Sequence, residues 1–170
     1  WKAGALGIGS SEACMLGGVA ALLRWKARRK KEGKSCEKPN IVLSSAYQVV
    51  WEKFAQLWSV EMREVPLSLE CPSLDPKKAV EMCDENTICI VPIAGVTWTG
   101  LNDDIEALDK ELDKFNAKTG YDIPIHVDAA SGGFILPFIK PEHKWDFRLK
   151  WVWSISTSGH KYGLVYPGLG

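Results

Sequence analysis

An α/β fold with a largely parallel sheet flanked by helices is what the sequence predicts, on three observations. Short strand-like runs alternate with helical patterns almost throughout. The run Thr87-Ile88-Cys89-Ile90-Val91-Pro92-Ile93 is almost continuously apolar, as a strand covered on both faces must be. No repeat or low-complexity linker breaks the 170 residues, a length that suits one domain with a full core.

In chain order, Ser10-Ser11-Glu12 opens a helical pattern with Leu16, Val19 or Ala20, and Leu23 on one stripe. Hydroxyls at its start, cations from Arg24 to Lys31 at its end and Gly33 beyond follow the rules for helix termini, so the basic cluster reads as a solvated helix end. Ile41-Val42-Leu43 is a short buried strand, Gln48 through Leu57 a helix, and Val60 through Val65 alternates like a strand. Asp75-Pro76 is an N-cap with proline at the first helical position, opening a helix that ends near Asp84-Glu85-Asn86. After the Thr87 strand, Ile105, Leu108, Leu112 and Phe115 place a helix over 103–118, stopped at Thr119-Gly120. Ile123 through Asp128 and Trp151 through Ser156 are the last two strands.

Composition narrows the classes. With 46% hydrophobic and 25% charged residues, neither a disordered nor a membrane chain is indicated. Lysine plus arginine equal aspartate plus glutamate at 21 each, so no overall charge favours nucleic acid or an anionic membrane. The apolar runs are far short of a membrane span and the N-terminus lacks the order of a signal peptide, which predicts a soluble, cytoplasmic protein. The five cysteines are scattered and never in a C-x-x-C pair, so free thiols are expected rather than disulfides or a zinc site. The start at Trp1 without a methionine and the stop at Gly170 directly after a glycine-rich, β-like segment read as a partial piece of a longer protein.

Open parallel sheets bind ligands outside the carboxyl ends of their strands, and that is where this chain gathers its chemistry. Lys161 follows the Trp153 strand within the small, hydroxyl-rich turn Ser156-Thr157-Ser158-Gly159-His160-Lys161. Asp128 ends the Ile125 strand, Thr97 follows the Ile88 strand, and Ser10-Ser11 stand at a helix N-terminus. The helix start offers free N–H groups and the positive end of the dipole, which suit a phosphate, although neither a P-loop nor a dinucleotide fingerprint is present.

A carboxylate ending a buried strand needs a cationic partner or several donors, and a protonated pyridine nitrogen would be one. A metal is the rival partner, but no second carboxylate or histidine lies at ligand spacing nearby; His126 shares the side of Asp128 if the strand is regular. The glycines of Ala129-Ala130-Ser131-Gly132-Gly133 would let a flat, bulky group approach the backbone. Phosphate corner, strand-end acid and strand-end lysine together specify a cofactor with a phosphate, a basic ring nitrogen and an aldehyde, namely pyridoxal 5'-phosphate.

The chain resembles the pyridoxal-phosphate-dependent group II decarboxylases, and among them the glutamate decarboxylases of bacteria, fungi and plants. The resemblance rests on Gly9-Ser10-Ser11-Glu12-Ala13, Trp51-Glu52-Lys53-Phe54, Asp84-Glu85-Asn86-Thr87, His126 through Phe134, Trp145 through Leu149, and Ser158 through Gly163, in family order over nearly the whole chain. It implies the large domain of a type I pyridoxal-phosphate-dependent transferase-like fold, with residues 1–170 a central part of it and an N-terminal segment and a C-terminal small domain outside.

It further implies that Lys161 links to the cofactor aldehyde and Asp128 pairs with the ring nitrogen, while Ser10, Ser11, Ser158 and His160 hold the phosphate. Thr97 would lie beside the ring, with Ala130 on one ring face and Gln48 on the other. The activity implied is decarboxylation of L-glutamate to 4-aminobutanoate by at least a dimer, with residues 1–170 inactive alone. Another pyridoxal-phosphate-dependent decarboxylase or carbon–carbon lyase is the alternative, though those usually carry other residues at Ala130-Ser131 and Ser158-Gly159. A non-catalytic fragment acting only in interactions is opposed by the intact lysine, acid and phosphate corner.

Overall fold

The computed structural model describes residues 4–170; Trp1 lies outside the described residues. Five strands form one all-parallel sheet in the order β2-β1-β3-β4-β5, with β1 at Asn40–Ser44, β2 at Glu61–Val65, β3 at Thr87–Val91, β4 at Ile125–Ala129 and β5 at Val152–Thr157. Helices α1 (Gly9–Lys31) and α2 (Val50–Trp58) cover one face, and α3 (Pro76–Glu81) and α4 (Ile105–Thr119) the other. A short α5 spans Leu136–Ile139.

This layering follows from the handedness of parallel crossovers. From β1 the chain runs outward to β2 through α2, then returns past β1 to β3 and proceeds the other way to β4 through α4. The reversal puts α2 and α4 on opposite faces. It also makes the loops after β1 and β3 diverge at the carboxyl end of the sheet, where such folds leave a crevice. Gln48 lies in the first loop and Thr97 in the second.

Strand alternation divides the core in two. Ile41, Leu43 and Val91 pack with Leu22, Trp25, Trp51 and Phe54 under α1 and α2. Val42, Ile90, Ile125, Val127 and Ala129 pack with Ile105, Leu108 and Leu112 under α3 and α4. The three interior strands β1, β3 and β4 are buried at every position, as strands covered on both faces must be.

The expected start of α3 and the expected stop of α4 are present, whereas α3 ends at Glu81, short of the expected Asp84-Glu85-Asn86, because the Asp84 side chain is engaged by the Asn86 N–H and Asn40 Nδ2, and α4 begins at Ile105 rather than Asp103. Asp75 caps α3 by accepting from the Lys77 N–H at 2.9 Å and the Lys78 N–H at 3.2 Å, with Pro76 at the first position. Asp104 caps α4 through the Ala107 N–H at 2.9 Å, and Gly120 ends it in the left-handed region at φ 73°.

Helix α1 departs from the sequence reading in two ways. Its buried face is Cys14, Gly18, Ala21, Leu22 and Trp25, whereas Leu16 and Leu23 of the expected stripe are 46% and 59% exposed. Small residues win because the helix lies tight on its neighbours: a Cβ at Gly18 would come within 2.7 Å of the Phe54 ring. In addition, Ser10 and Ser11 lie inside the first turn rather than at the cap. The cap position is Ile8, whose N–H is taken by the Glu12 carboxylate four residues on. Among the described residues no helix is long and apolar enough to cross a membrane, and all five cysteines are free thiols.

Candidate functional site

Asp128 is 2% exposed and held from several sides. Its main chain is locked to the end of β3, with its N–H donating to the Pro92 carbonyl at 3.0 Å and its carbonyl accepting from the Ala94 N–H at 2.9 Å. Its side chain points to the α1/α2 face, together with His126, as regular alternation demands. Trp51 Nε1–H donates to Oδ2 at 3.0 Å and the Ala130 N–H to Oδ1 at 3.2 Å.

Beside it lies a buried polar cluster. His126 Nδ1 pairs with Ser154 Oγ at 2.7 Å and Nε2 with Ser156 Oγ at 3.2 Å, and Cys14 Sγ meets Ser156 Oγ at 3.1 Å. The Trp51 indole stands edge-on to the His126 ring, 5.4 Å between centroids. Burial pushes the imidazole pKa down to about 4, against the opposing pull of the Asp128 charge, so His126 is neutral near pH 7. Burial, reinforced by Asp128, pushes the Cys14 thiol up, leaving it protonated.

Lys161 lies in the turn after β5 and lines a cleft of about 590 Å³ with Thr97, Asn102, Ser131, Ile135 and Tyr162. Its Nζ donates to Ser131 Oγ at 3.3 Å. The Thr97 loop is anchored from below by Asp103, a 1% exposed carboxylate that accepts from the Leu74 N–H at 2.8 Å and the Ile93 N–H at 2.7 Å. Desolvation pushes the Asp103 pKa up, and the two backbone donors oppose it. Ser158 is fully buried, and its Oγ lies 3.1 Å from Nδ1 of the exposed His160.

Ser10 is half-buried and Ser11 exposed, and neither hydroxyl bonds to Ser158, His160 or Lys161 among the described residues. The lysine turn and the helix start are joined through the backbone instead. Gly159 N–H donates to the Leu169 carbonyl at 3.0 Å, and Gly170 pairs with Gly7 at 2.7 and 3.0 Å. Gln48 Nε2 is buried with no hydrogen-bond partner among the described residues.

The glycines after β4 behave otherwise than expected. A Cβ at Gly132 would come within 2.5 Å of the Ala94 carbonyl oxygen, and one at Gly133 would overlap Thr157 Cγ2. They let protein segments close on one another, since the space before them is filled by the chain itself. The sequence reading also gave no role to Trp51, Ser131, Ser154 or Ser156. For the two serines the signal was their register, since Ser154 pairs with His126 and Ser156 with Asp128 across β4 and β5.

Residues 2–170 match the pyridoxal-dependent decarboxylase conserved domain, nearly the whole chain. The chain belongs to the pyridoxal-dependent decarboxylase family. Within that family it is 56% identical over 165 residues to the glutamate decarboxylase of Lactococcus lactis subsp. cremoris (strain MG1363), covering 96% of this chain and 35% of the relative. It is likewise 56% identical over 163 residues to glutamate decarboxylase 5 of Arabidopsis thaliana, covering 96% and 33%. The fold superposes on the Lactobacillus brevis CGMCC 1306 glutamate decarboxylase with a TM-score of 0.95 at 50% identity, covering 99% of this chain and 38% of that one. The chain thus spans about a third of the length of the relatives it matches.

Proposed function

We propose that the complete protein decarboxylates L-glutamate to 4-aminobutanoate and carbon dioxide with pyridoxal 5'-phosphate, and that residues 1–170 are the central part of its large domain. The observation that carries this reading is the 56% identity to glutamate decarboxylases over 96% of the chain. The residues fit the cofactor on independent grounds. Among the described residues, a buried carboxylate with two N–H donors and no ion-paired cation, a lysine lining a cleft and a buried amide nitrogen without a partner suit a phosphorylated pyridine aldehyde.

Lys161 is read as the amine that holds the aldehyde covalently, and Asp128 as the partner of the ring nitrogen. Ser10, Ser11, Ser158 and His160 are read as the phosphate seat, and Thr97, Ala130 and Gln48 as the residues about the ring. When bound, the cofactor supplies an electron sink for the pair left behind as carbon dioxide departs.

The protein's work is then placement and protection. Asp128 would hold a positive charge at the ring nitrogen, and its burial would limit competition from water. The bond from the α-carbon to its carboxylate breaks, the electron pair stays with that carbon, and a proton takes the place of the carboxylate. Assembly as at least a dimer is part of the same reading, and the exposed Phe138, Leu164 and Tyr166 support it. Offering the complete protein and pyridoxal phosphate L-glutamate, L-aspartate and L-tyrosine in turn tests the substrate. 4-Aminobutanoate as the main product is expected; turnover of aspartate or tyrosine alone would move the assignment to another decarboxylase.

A further inference from the structure

Resting on that reading of Asp128, we infer that Trp51 is a positioning residue that fixes the Asp128 carboxylate for pairing with a cationic ring nitrogen. Trp51 is fully buried on the first turn of α2, and its Nε1–H is one of two N–H donors to the Asp128 side chain among the described residues, the other being the main-chain N–H of Ala130. One donor to each oxygen fixes the carboxylate plane, which a single donor would leave free to turn about its Cβ–Cγ bond.

The neighbours offer no equal bond. His126, on the same face, is neutral and carries a single ring N–H, and both of its ring nitrogens are already paired with Ser154 and Ser156. The Cys14 thiol, held protonated, rests on Ser156 Oγ and also reaches Asp128, but a thiol is a weaker donor than the indole N–H. Trp51 at 0% and Asp128 at 2% exposure make this bond away from bulk water. The surroundings are built for the indole as well: a Cβ at Gly17 of α1 would overlap His126 Cε1, so a glycine inside a helix makes room for the imidazole against which Trp51 stands edge-on. A helix-interior glycine is less favourable than alanine, so the space is retained at a cost to α1.

The test uses binding rather than turnover. The complete apoprotein and its Trp51→Phe variant are titrated with pyridoxal phosphate and with the 1-deaza analogue, in which carbon replaces the ring nitrogen, and both dissociation constants are read by equilibrium dialysis. The unaltered protein should prefer pyridoxal phosphate. Trp51→Phe should weaken pyridoxal phosphate about tenfold, the scale of a hydrogen bond to a charged group, and leave the deaza analogue within about twofold. Equal loss for both ligands, or loss for neither, overturns the positioning role. An unaltered protein that binds pyridoxal phosphate no better than the deaza analogue, or binds neither, overturns the reading of Asp128 itself. Should the phenylalanine variant not fold, benzothienylalanine at position 51 keeps the indole's shape and removes only the N–H, and the same two outcomes apply.

Discussion

The two faces of β4 are one strand put to two uses. Ile125, Val127 and Ala129 look into an apolar cluster with Ile105, Leu108 and Leu112. His126 and Asp128, alternating with them, look into a pocket of hydrogen bonds with Trp51, Ser154 and Ser156 under α1 and α2. The apolar face needs only volume and shape and gains stability from burial. The polar face must satisfy each group in a water-free space, and that demand fixes positions tightly enough for chemistry. Changes on one face should therefore appear in stability and on the other in cofactor affinity and turnover.

The largest effect expected is on the polar face. Asp128→Ala should lower turnover of the complete protein by about a thousandfold, the scale of lost electrostatic stabilisation, with a smaller change in melting temperature. A variant that kept turnover within tenfold would erase the functional distinction between the faces; steady-state kinetics with saturating cofactor would read it.

Acid should strike the same face. The imidazole of His126 ordinarily titrates near 6.5 and is held down to about 4 in the fold, so the unfolded chain binds the extra proton first as pH falls. Stability from this group is complete above about pH 6.5 and is lost on the way down to about 4, amounting to roughly 3 kcal/mol. Denaturant titrations across that window should slope less steeply for His126→Gln than for the unaltered protein. Parallel slopes would mean the imidazole is not held neutral.

On the apolar face, Val127→Ala should cost about 2 kcal/mol in unfolding free energy through the cavity it leaves, while the dissociation constant for pyridoxal phosphate stays within twofold. A change in affinity as large as that of a polar-face variant would blur the comparison. Smaller still, Asp104→Ala removes only the cap of α4 and should cost about 1 kcal/mol, read as a shift in denaturant midpoint with affinity untouched.

The difference between the faces also marks what could be read from the sequence. Strands, their order of appearance, the cap at Asp75 and the stop at Gly120 were legible because apolar runs, N-cap chemistry and a helix-ending glycine are local signals. The positions of Asp128 and Lys161 at strand ends followed from the same pattern. The buried face of α1 was not legible, because Gly18 and Ala21 are chosen by what lies opposite them, and no count of leucines along the helix reveals that. The hydrogen bond from Trp51 to Asp128 joins residues 77 positions apart and was invisible for the same reason.

The central claim is that the turn after β5 holds the cofactor through Lys161 while Asp128 faces its ring. Borohydride reduction of the complete protein loaded with pyridoxal phosphate, followed by peptide mapping, tests it most directly. The account predicts a phosphopyridoxyl group on Lys161, in the peptide that contains Ser158 and His160. The same group on any other lysine, with Lys161 unmodified, would contradict it.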